Sequence, residues 1–235
     1  MWGIKLDRKE FGDLLVHEIK TPIASINGYA DLIRHGMCDD FSILKYADKI
    51  YKETVRLSNL VDDINMFCLL KDNCYEINFE NRDIYQITKE VVTSLLEKYS
   101  EYEIDICIDG NANAVVDYIL IKKAIYELVE NAINYGYNKN SSSAYANIVV
   151  KIVDSDDRVT ISVSDKGTGI KKRYIVPVNE LFFRVDKKYS RQIGGNGIGI
   201  PLVSIIAKNH NGKFEFYNNE SGGLTAVLSV NKKGE

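Results

Sequence analysis

Apolar residues recur at alternating steps of four and three along the first third of the chain. Leu15, Ile19, Pro22, Ile26, Tyr29 and Ile33 form one series. Ile43, Ala47, Ile50, Thr54, Leu57, Val61, Ile64 and Cys68 form a second, with charged residues filling the other positions. This spacing predicts two heptad-patterned helices. Between them, Gly36 offers a C-terminal stop and Asp39 or Asp40 can cap the next helix, and so short a connection forces an antiparallel hairpin. One hairpin cannot bury two apolar stripes. The expected remedy is a second copy, giving a dimeric four-helix bundle; the alternative is that the stripes pack on the rest of the chain.

The heptad stops at the polar turn Lys71-Asp72-Asn73. The expected domains are therefore a hairpin over residues 1–72 and a second unit over residues 73–235. Alternating and helical patterns downstream predict a strand at Tyr75 to Phe79, a helix from Ile84 to Tyr99, a strand from Glu103 to Ile108 and a helix from Tyr118 to Tyr135. Strands at Asn147 to Val153 and Arg158 to Ser164, a helix after Gly199, and strands at Lys213 to Tyr217 and Thr225 to Val230 follow. The fold class is α+β multidomain, with the hairpin followed by an α/β sandwich in which one mixed sheet carries helices on one face. Asn138 to Ser143 reads as a polar loop. Residues 171–195 are poorly periodic and carry Lys171, Lys172, Arg173, Arg184, Lys187, Lys188 and Arg191, the pattern of a mobile lid.

Composition changes this picture little. The 235 residues, 45% of them hydrophobic, suffice for ordinary cores, and a net charge of −3 gives no reason to expect nucleic acid. Cys38, Cys68, Cys74 and Cys107 are scattered without metal-ligand pairs, which fits reduced packing thiols of a cytosolic compartment. No run approaches the roughly 20 apolar residues of a membrane span. The expected location is cytoplasmic, either as a free protein or as the inner part of a longer membrane receptor.

Candidate chemistry begins with His17-Glu18-Ile19-Lys20-Thr21-Pro22, inside the first predicted helix. An imidazole accepts a phosphoryl group through one nitrogen if a carboxylate can take the proton from the other. Asp165-Lys166-Gly167-Thr168-Gly169 ends a predicted strand and sets a carboxylate beside two positions where a ligand can lie on bare backbone; the same segment also makes an ordinary tight turn. Gly194 to Gly199 opens into the apolar run Ile200 to Ala207, with Pro201 suited to a first helical turn. Amides at such a helix start attract phosphates, although a structural loop explains the glycines equally well. Between Glu127 and Tyr135, helical spacing puts Glu127, Asn131, Asn134 and Tyr135 along one side. An amide oxygen and carboxylates there can meet a hard divalent cation, or simply face water. His35 at the end of the first helix would complement its dipole as a cation, and His210 lies near a helix terminus; neither has a ligand constellation.

In this order on one chain, these segments resemble the sensor histidine kinases of two-component signalling, the class with a dimerising phosphoacceptor hairpin and a Bergerat-type ATP-binding domain. His17 to Pro22 is similar to the family's H box, Glu127 to Tyr135 to its N box and Asp165 to Gly169 to its first glycine box. Leu181 to Arg184 is similar to its F box and Gly195 to Gly199 to its second glycine box. The resemblance implies a kinase core that phosphorylates itself on His17 from ATP and passes the group to an aspartate of a response-regulator receiver domain, with phosphatase action toward that regulator. It implies a homodimer, no nucleic acid, and a membrane only through a sensor region outside this sequence.

The same resemblance implies that Glu18 accepts or orients the His17 proton and that Thr21 positions water. Asp165 would bind the adenine amino group, Gly167 and Gly169 would admit the base, and Asn131 with Glu127 would hold Mg2+. Gly195, Gly197 and Gly199 would wrap the triphosphate, with Asn134, Tyr135, Phe182, Lys187 and Thr225 completing the site. Asn134 stands where relatives often have Lys or Arg, a contact that Lys187 or Lys188 would supply. Glu127 stands where many have an amide, and Asn179 where the first F-box aromatic is usual. Two rivals follow from these departures: an ATPase or chaperone-like member of the same superfamily, favoured by Glu127, and a non-catalytic dimeric pseudokinase scaffold, favoured by Asn134 and Asn179.

Overall fold

Two long helices open the fold: α1 (Arg8–Arg34) and α2 (Asp40–Lys71) lie against each other as the expected hairpin. The computed structural model describes residues 8–37, 39–136, 145–174, 180–185, 195–220 and 222–234. Gly36, at φ 63°, stops α1, with Gly36 N–H donating to Ile33 O and Met37 N–H to Leu32 O. Of the two candidate caps, Asp39 is the one used, its Oδ1 accepting from Ser42 N–H at 2.9 Å. No helix among the described residues is long and apolar enough to cross a membrane.

The rest of the chain runs β1 (Glu80–Asp83), α3 (Ile84–Lys98), β2 (Glu103–Asp109), β3 (Asn113–Val116), α4 (Tyr118–Gly136), β4 (Tyr145–Asp154), β5 (Arg158–Ser164), a short 3-10 turn at Lys172–Tyr174, α5 (Gly199–Asn209), β6 (Lys213–Asn218) and β7 (Leu224–Asn231). Five strands form one mixed sheet in the order β2-β4-β5-β7-β6, with β2 and β4 parallel and the other pairs antiparallel. Alternate residues of β4 and β5 (Ile148, Val150, Ile152; Val159, Ile161, Val163) are buried with the apolar stripes of α3, α4 and α5 in one core.

One expectation is corrected and one strand pair is added. Tyr75 to Phe79 is not a strand. Cys74 and Tyr75 N–H groups both donate to Leu69 O to close α2, Asn78 N–H donates to Asp117 Oδ2, and Tyr75 and Ile77 pack on the core, so the alternation marks an anchored connection. The strand there is β1, paired with β3, which has no counterpart in the pattern reading.

Helix α2 also carries a second apolar face. Leu60, Phe67 and Leu70 are 1–2% exposed and belong to the same core as the sandwich helices. Part of the hairpin therefore packs on the remainder of the chain, whereas Val16, Ile23, Leu44, Tyr51, Val55 and Val61 stay exposed on its other sides. The polar loop 138–143, Asn179, Lys187, Lys188, Arg191 and Gly194 lie outside the described residues.

Candidate active site

His17 projects from α1 into solvent, its side chain 66% exposed, with Nδ1 3.8 Å from Glu18 Oε1. Thr21, one turn on, turns its hydroxyl back to donate to His17 O at 3.0 Å. Pro22 has no N–H for the carbonyl one turn before it, that of Glu18. Glu18 is held from the other side of the molecule. Arg184, its side chain only 4% exposed, donates to Glu18 Oε2 at 2.5 Å and to Asn196 O at 3.1 Å. A carboxylate gripped by a buried guanidinium keeps its orientation, and its second oxygen faces the imidazole.

Arg184 belongs to a segment folded tightly onto the second glycine run. Phe182 N–H donates to Gly197 O at 2.8 Å, and Phe182 itself sits at φ 63°, a conformation that a bulky residue holds only under external constraint. Its buried ring lies 6.2 Å from that of Phe11 on α1. Gly197, at φ 73°, has no room for a side chain: a Cβ there would stand 2.8–2.9 Å from Phe182 backbone atoms. Asn196, between Gly195 and Gly197, accepts through Oδ1 from Arg56 Nε of α2 at 3.3 Å. Gly199 starts α5, and a Cβ on it would strike the Glu127 carboxylate.

Asp165 lies at the end of β5, 8% exposed, in a surround of glycines. Its Oδ1 accepts from Gly167 N–H at 2.8 Å and Leu224 N–H at 3.2 Å; among the described residues Oδ2 takes no hydrogen bond. A Cβ on Gly136 would come within 2.9 Å of the Asp165 side chain, and one on Gly167 within 3.0 Å of its Oδ1. Burial raises the Asp165 pKa above the usual carboxylate value, opposed by the two amides. Thr225 is held beside it, donating to Asn219 Oδ1 at 2.6 Å and sharing a hydrogen bond with Ser164, while Asn219 Nδ2 donates to Asp165 O. Asn218 brackets the following turn, accepting from Ile170 N–H and donating to Ile170 O. Gly169, at φ 65°, leaves the space that Asn218 occupies.

The face of α4 is divided. Glu127 is paired with Lys123 at 2.8 Å, and Lys123 also reaches Asp63 of α2 at 2.5 Å. Burial pushes both carboxyls up, whereas for Lys123 burial is outweighed by its two acidic neighbours, which hold it charged. Asn134 accepts from Tyr99 O–H at 3.4 Å, facing α3. Asn131 is half-buried and Tyr135 exposed. The structure therefore brings Glu127 to the second glycine run, turns Asn134 toward α3, and gathers Asp165, Gly167 and Thr225 at one sheet end. Among the described residues no three His, Cys, Asp or Glu side chains cluster to hold a metal. Asn131 offers a hard amide oxygen suited to a cation that carries its own oxygen ligands, while Glu127 is already committed to Lys123.

Pattern reading misses Arg56, Asp63, Lys123, Asn196, Asn218 and Asn219. Only the Asp63 position, recurring with Leu60, Phe67 and Leu70 along α2, carries a helical signal.

The family model described as His Kinase A (phospho-acceptor) domain matches residues 7–68, and that described as Histidine kinase-, DNA gyrase B-, and HSP90-like ATPase matches residues 116–234. Sensor-like histidine kinase SenX3 of Mycolicibacterium smegmatis is 29% identical over 225 residues, which are 95% of this chain and 57% of that protein. Histidine protein kinase SaeS of Staphylococcus aureus is 26% identical over 245 residues, covering 97% of this chain and 66% of its own. The chain thus spans little more than half to two thirds of these relatives. Among solved structures, Acinetobacter baumannii histidine kinase AdeS superposes with TM-score 0.71 at 17% identity, covering 92% of this chain and 98% of that one. Histidine kinase ThkA in complex with response regulator protein TrrA gives 0.72 at 23% identity, covering 96% of this chain and 62% of that one. At these identities the superpositions establish the fold.

Proposed function

Because the chain belongs to the histidine kinase family of ATPase-fold proteins, we propose that it is a sensor-kinase core that moves the γ-phosphoryl of ATP onto His17 and then onto an aspartate of a response-regulator receiver domain. The single observation that carries this reading is an exposed imidazole whose neighbouring carboxylate is gripped by an arginine hydrogen-bonded to the second glycine run. His17 Nδ1 is the nitrogen nearer Glu18, so Nε2 is free to attack. The P–N bond forms as the bond from phosphorus to the ADP oxygen breaks, and the Nδ1 proton passes toward Glu18 Oε1. Thr21 is the residue we assign to positioning water when the phosphorylated regulator is dephosphorylated.

In the nucleotide site, Asp165 Oδ2 would accept from the adenine amino group, and Gly167 and Gly169 would let the base lie close. Gly195, Gly197 and Gly199 would supply backbone to the triphosphate, Asn131 would hold magnesium, and Thr225, Tyr135 and Phe182 would border the pocket. Magnesium supplies charge neutralisation at the phosphates. For Glu127 we propose a part in anchoring α4 in place of metal ligation, since Lys123 occupies its carboxylate. The same pairing speaks against the rival in which Glu127 activates water for steady ATP turnover. The exposed stripe of Val16, Ile23, Leu44, Tyr51 and Val55 suits a second hairpin, so the working unit is a homodimer. The domain division we propose lies where α2 ends at Lys71, between residues 72 and 73.

Mass spectrometry of peptides kept near neutral pH after incubation with ATP and magnesium tests the proposal. A phosphoryl group on the peptide that contains His17 is the expected result, and a protein unmodified there overturns it.

A further inference from the structure

We infer that each catalytic domain serves the histidine of its own subunit, and that Arg56 on α2 is the positioning residue that sets the phosphate loop for it. The inference rests on the kinase reading above. Its first support is the connection between α2 and β1, residues 72–79. Fully extended, such a stretch reaches about 28 Å. Here it is pinned at both ends, by Cys74 and Tyr75 N–H on Leu69 O and by Asn78 N–H on Asp117 Oδ2.

The second support is a run of ties that climbs the hairpin from that connection toward His17. Leu60, Phe67 and Leu70 of α2 are buried in the sandwich core. Asp63 is bonded to Lys123 of α4 at 2.5 Å, and Arg56 to Asn196 at 3.3 Å. Glu18, next to His17, meets Arg184 at 2.5 Å, and Phe11 lies on Phe182. Each tie joins hairpin and catalytic residues of one chain. Delivering the loop to a neighbour's histidine would separate Arg184 from this chain's Glu18 and Asp63 from Lys123, taking these partners from the buried Arg184 and Asp63, and would expose the α2 face.

Arg56 touches none of the reacting atoms. Its guanidinium is steadied by Glu53 at 3.5 Å and fixes the Asn196 amide, while Arg184 fixes the Asn196 carbonyl. The two arginines thus tie one loop residue between Gly195 and Gly197 to both helices of the hairpin, Arg56 to α2 and Arg184, through Glu18, to α1, which bears His17. Loss of the Arg56 contact leaves the base pocket at Asp165 intact and lets the loop drift, so transfer should suffer more than nucleotide binding.

Mixed dimers of a His17→Gln subunit with a nucleotide-blind Asp165→Asn/Gly197→Val subunit decide the first part. Transfer within a subunit gives no label in the mixed dimer although the unaltered dimer labels; label on the nucleotide-blind subunit overturns it. Carbodiimide coupling of Asp63 to Lys123 in dimers of light- and heavy-nitrogen chains reads the docking without any activity. Cross-linked peptides should be wholly light or wholly heavy, and light–heavy hybrids contradict the inference. For Arg56→Met, labelling of His17 should slow by up to about a hundredfold, with affinity for a non-hydrolysable ATP analogue unchanged and Arg56→Lys recovering part of the rate. A matching loss of affinity overturns the positioning role. An unaltered dimer that binds ATP and never labels would instead sink the kinase reading, and the cross-link pattern would still report which subunit is docked.

Discussion

His210 shows how much a single side chain can decide. Its Nδ1 hydrogen-bonds Ile206 O at 2.9 Å and its Nε2 accepts from Asp117 N–H at 3.1 Å, so the ring is locked as one neutral tautomer at 1% exposure. Burial lowers its pKa below the ordinary histidine value. A folded-state pKa below the unfolded one means that the unfolded chain binds the proton more readily. The contribution is therefore complete above about pH 6.5 and is lost as pH falls toward the folded value. His210→Phe should flatten that acid slope and cost about 1–3 kcal/mol at neutral pH through the orphaned Asp117 N–H, read by urea denaturation at several pH values. Asp165→Asn should cut ATP affinity about a hundredfold in calorimetry while the melting temperature holds, because the carboxylate's free oxygen faces no protein donor among the described residues. Unchanged affinity would remove Asp165 from the base pocket. At this scale the motifs were legible: His17, Asp165 and the glycines announce themselves by type and spacing. Arg56 and Asn196 did not, since they meet across 140 residues of chain and neither sits in a recognisable pattern.

Between elements, one lysine joins α2 to α4. Lys123 bridges Asp63 and Glu127 in a place where both carboxyls are largely removed from water. Lys123→Met should leave two buried acids without their counter-charge and cost about 3–5 kcal/mol in equilibrium unfolding; a loss under about 1 kcal/mol would mean that the pair is a surface bridge. Most elements could be read from periodicity because a long amphipathic helix or an alternating strand repeats its signal many times. The exceptions are short. Strands β1 and β3 have four residues each, too few for a period, and β1 is exposed along its length. Tyr75 and Ile77 alternate like a strand but are anchors of a connection. The second apolar face of α2 was hidden by the stronger heptad beside it, and only the fold reveals that Leu60, Phe67 and Leu70 have a partner surface.

Over the whole molecule, one face of α2 packs on the sandwich, apolar side chains such as Val16, Ile23, Leu44, Tyr51 and Val55 stay exposed elsewhere on the hairpin, and His17 stands in solvent. The architecture of hairpin then sandwich followed from the change of period at Lys71. How the two parts dock did not, because it depends on ion pairs and contacts between residues far apart in sequence. The most direct measurement is acid-labile radiolabel after incubation with γ-labelled ATP and magnesium, comparing the unaltered chain with His17→Gln. The account predicts label on the first and none on the second; equal label on both would contradict it.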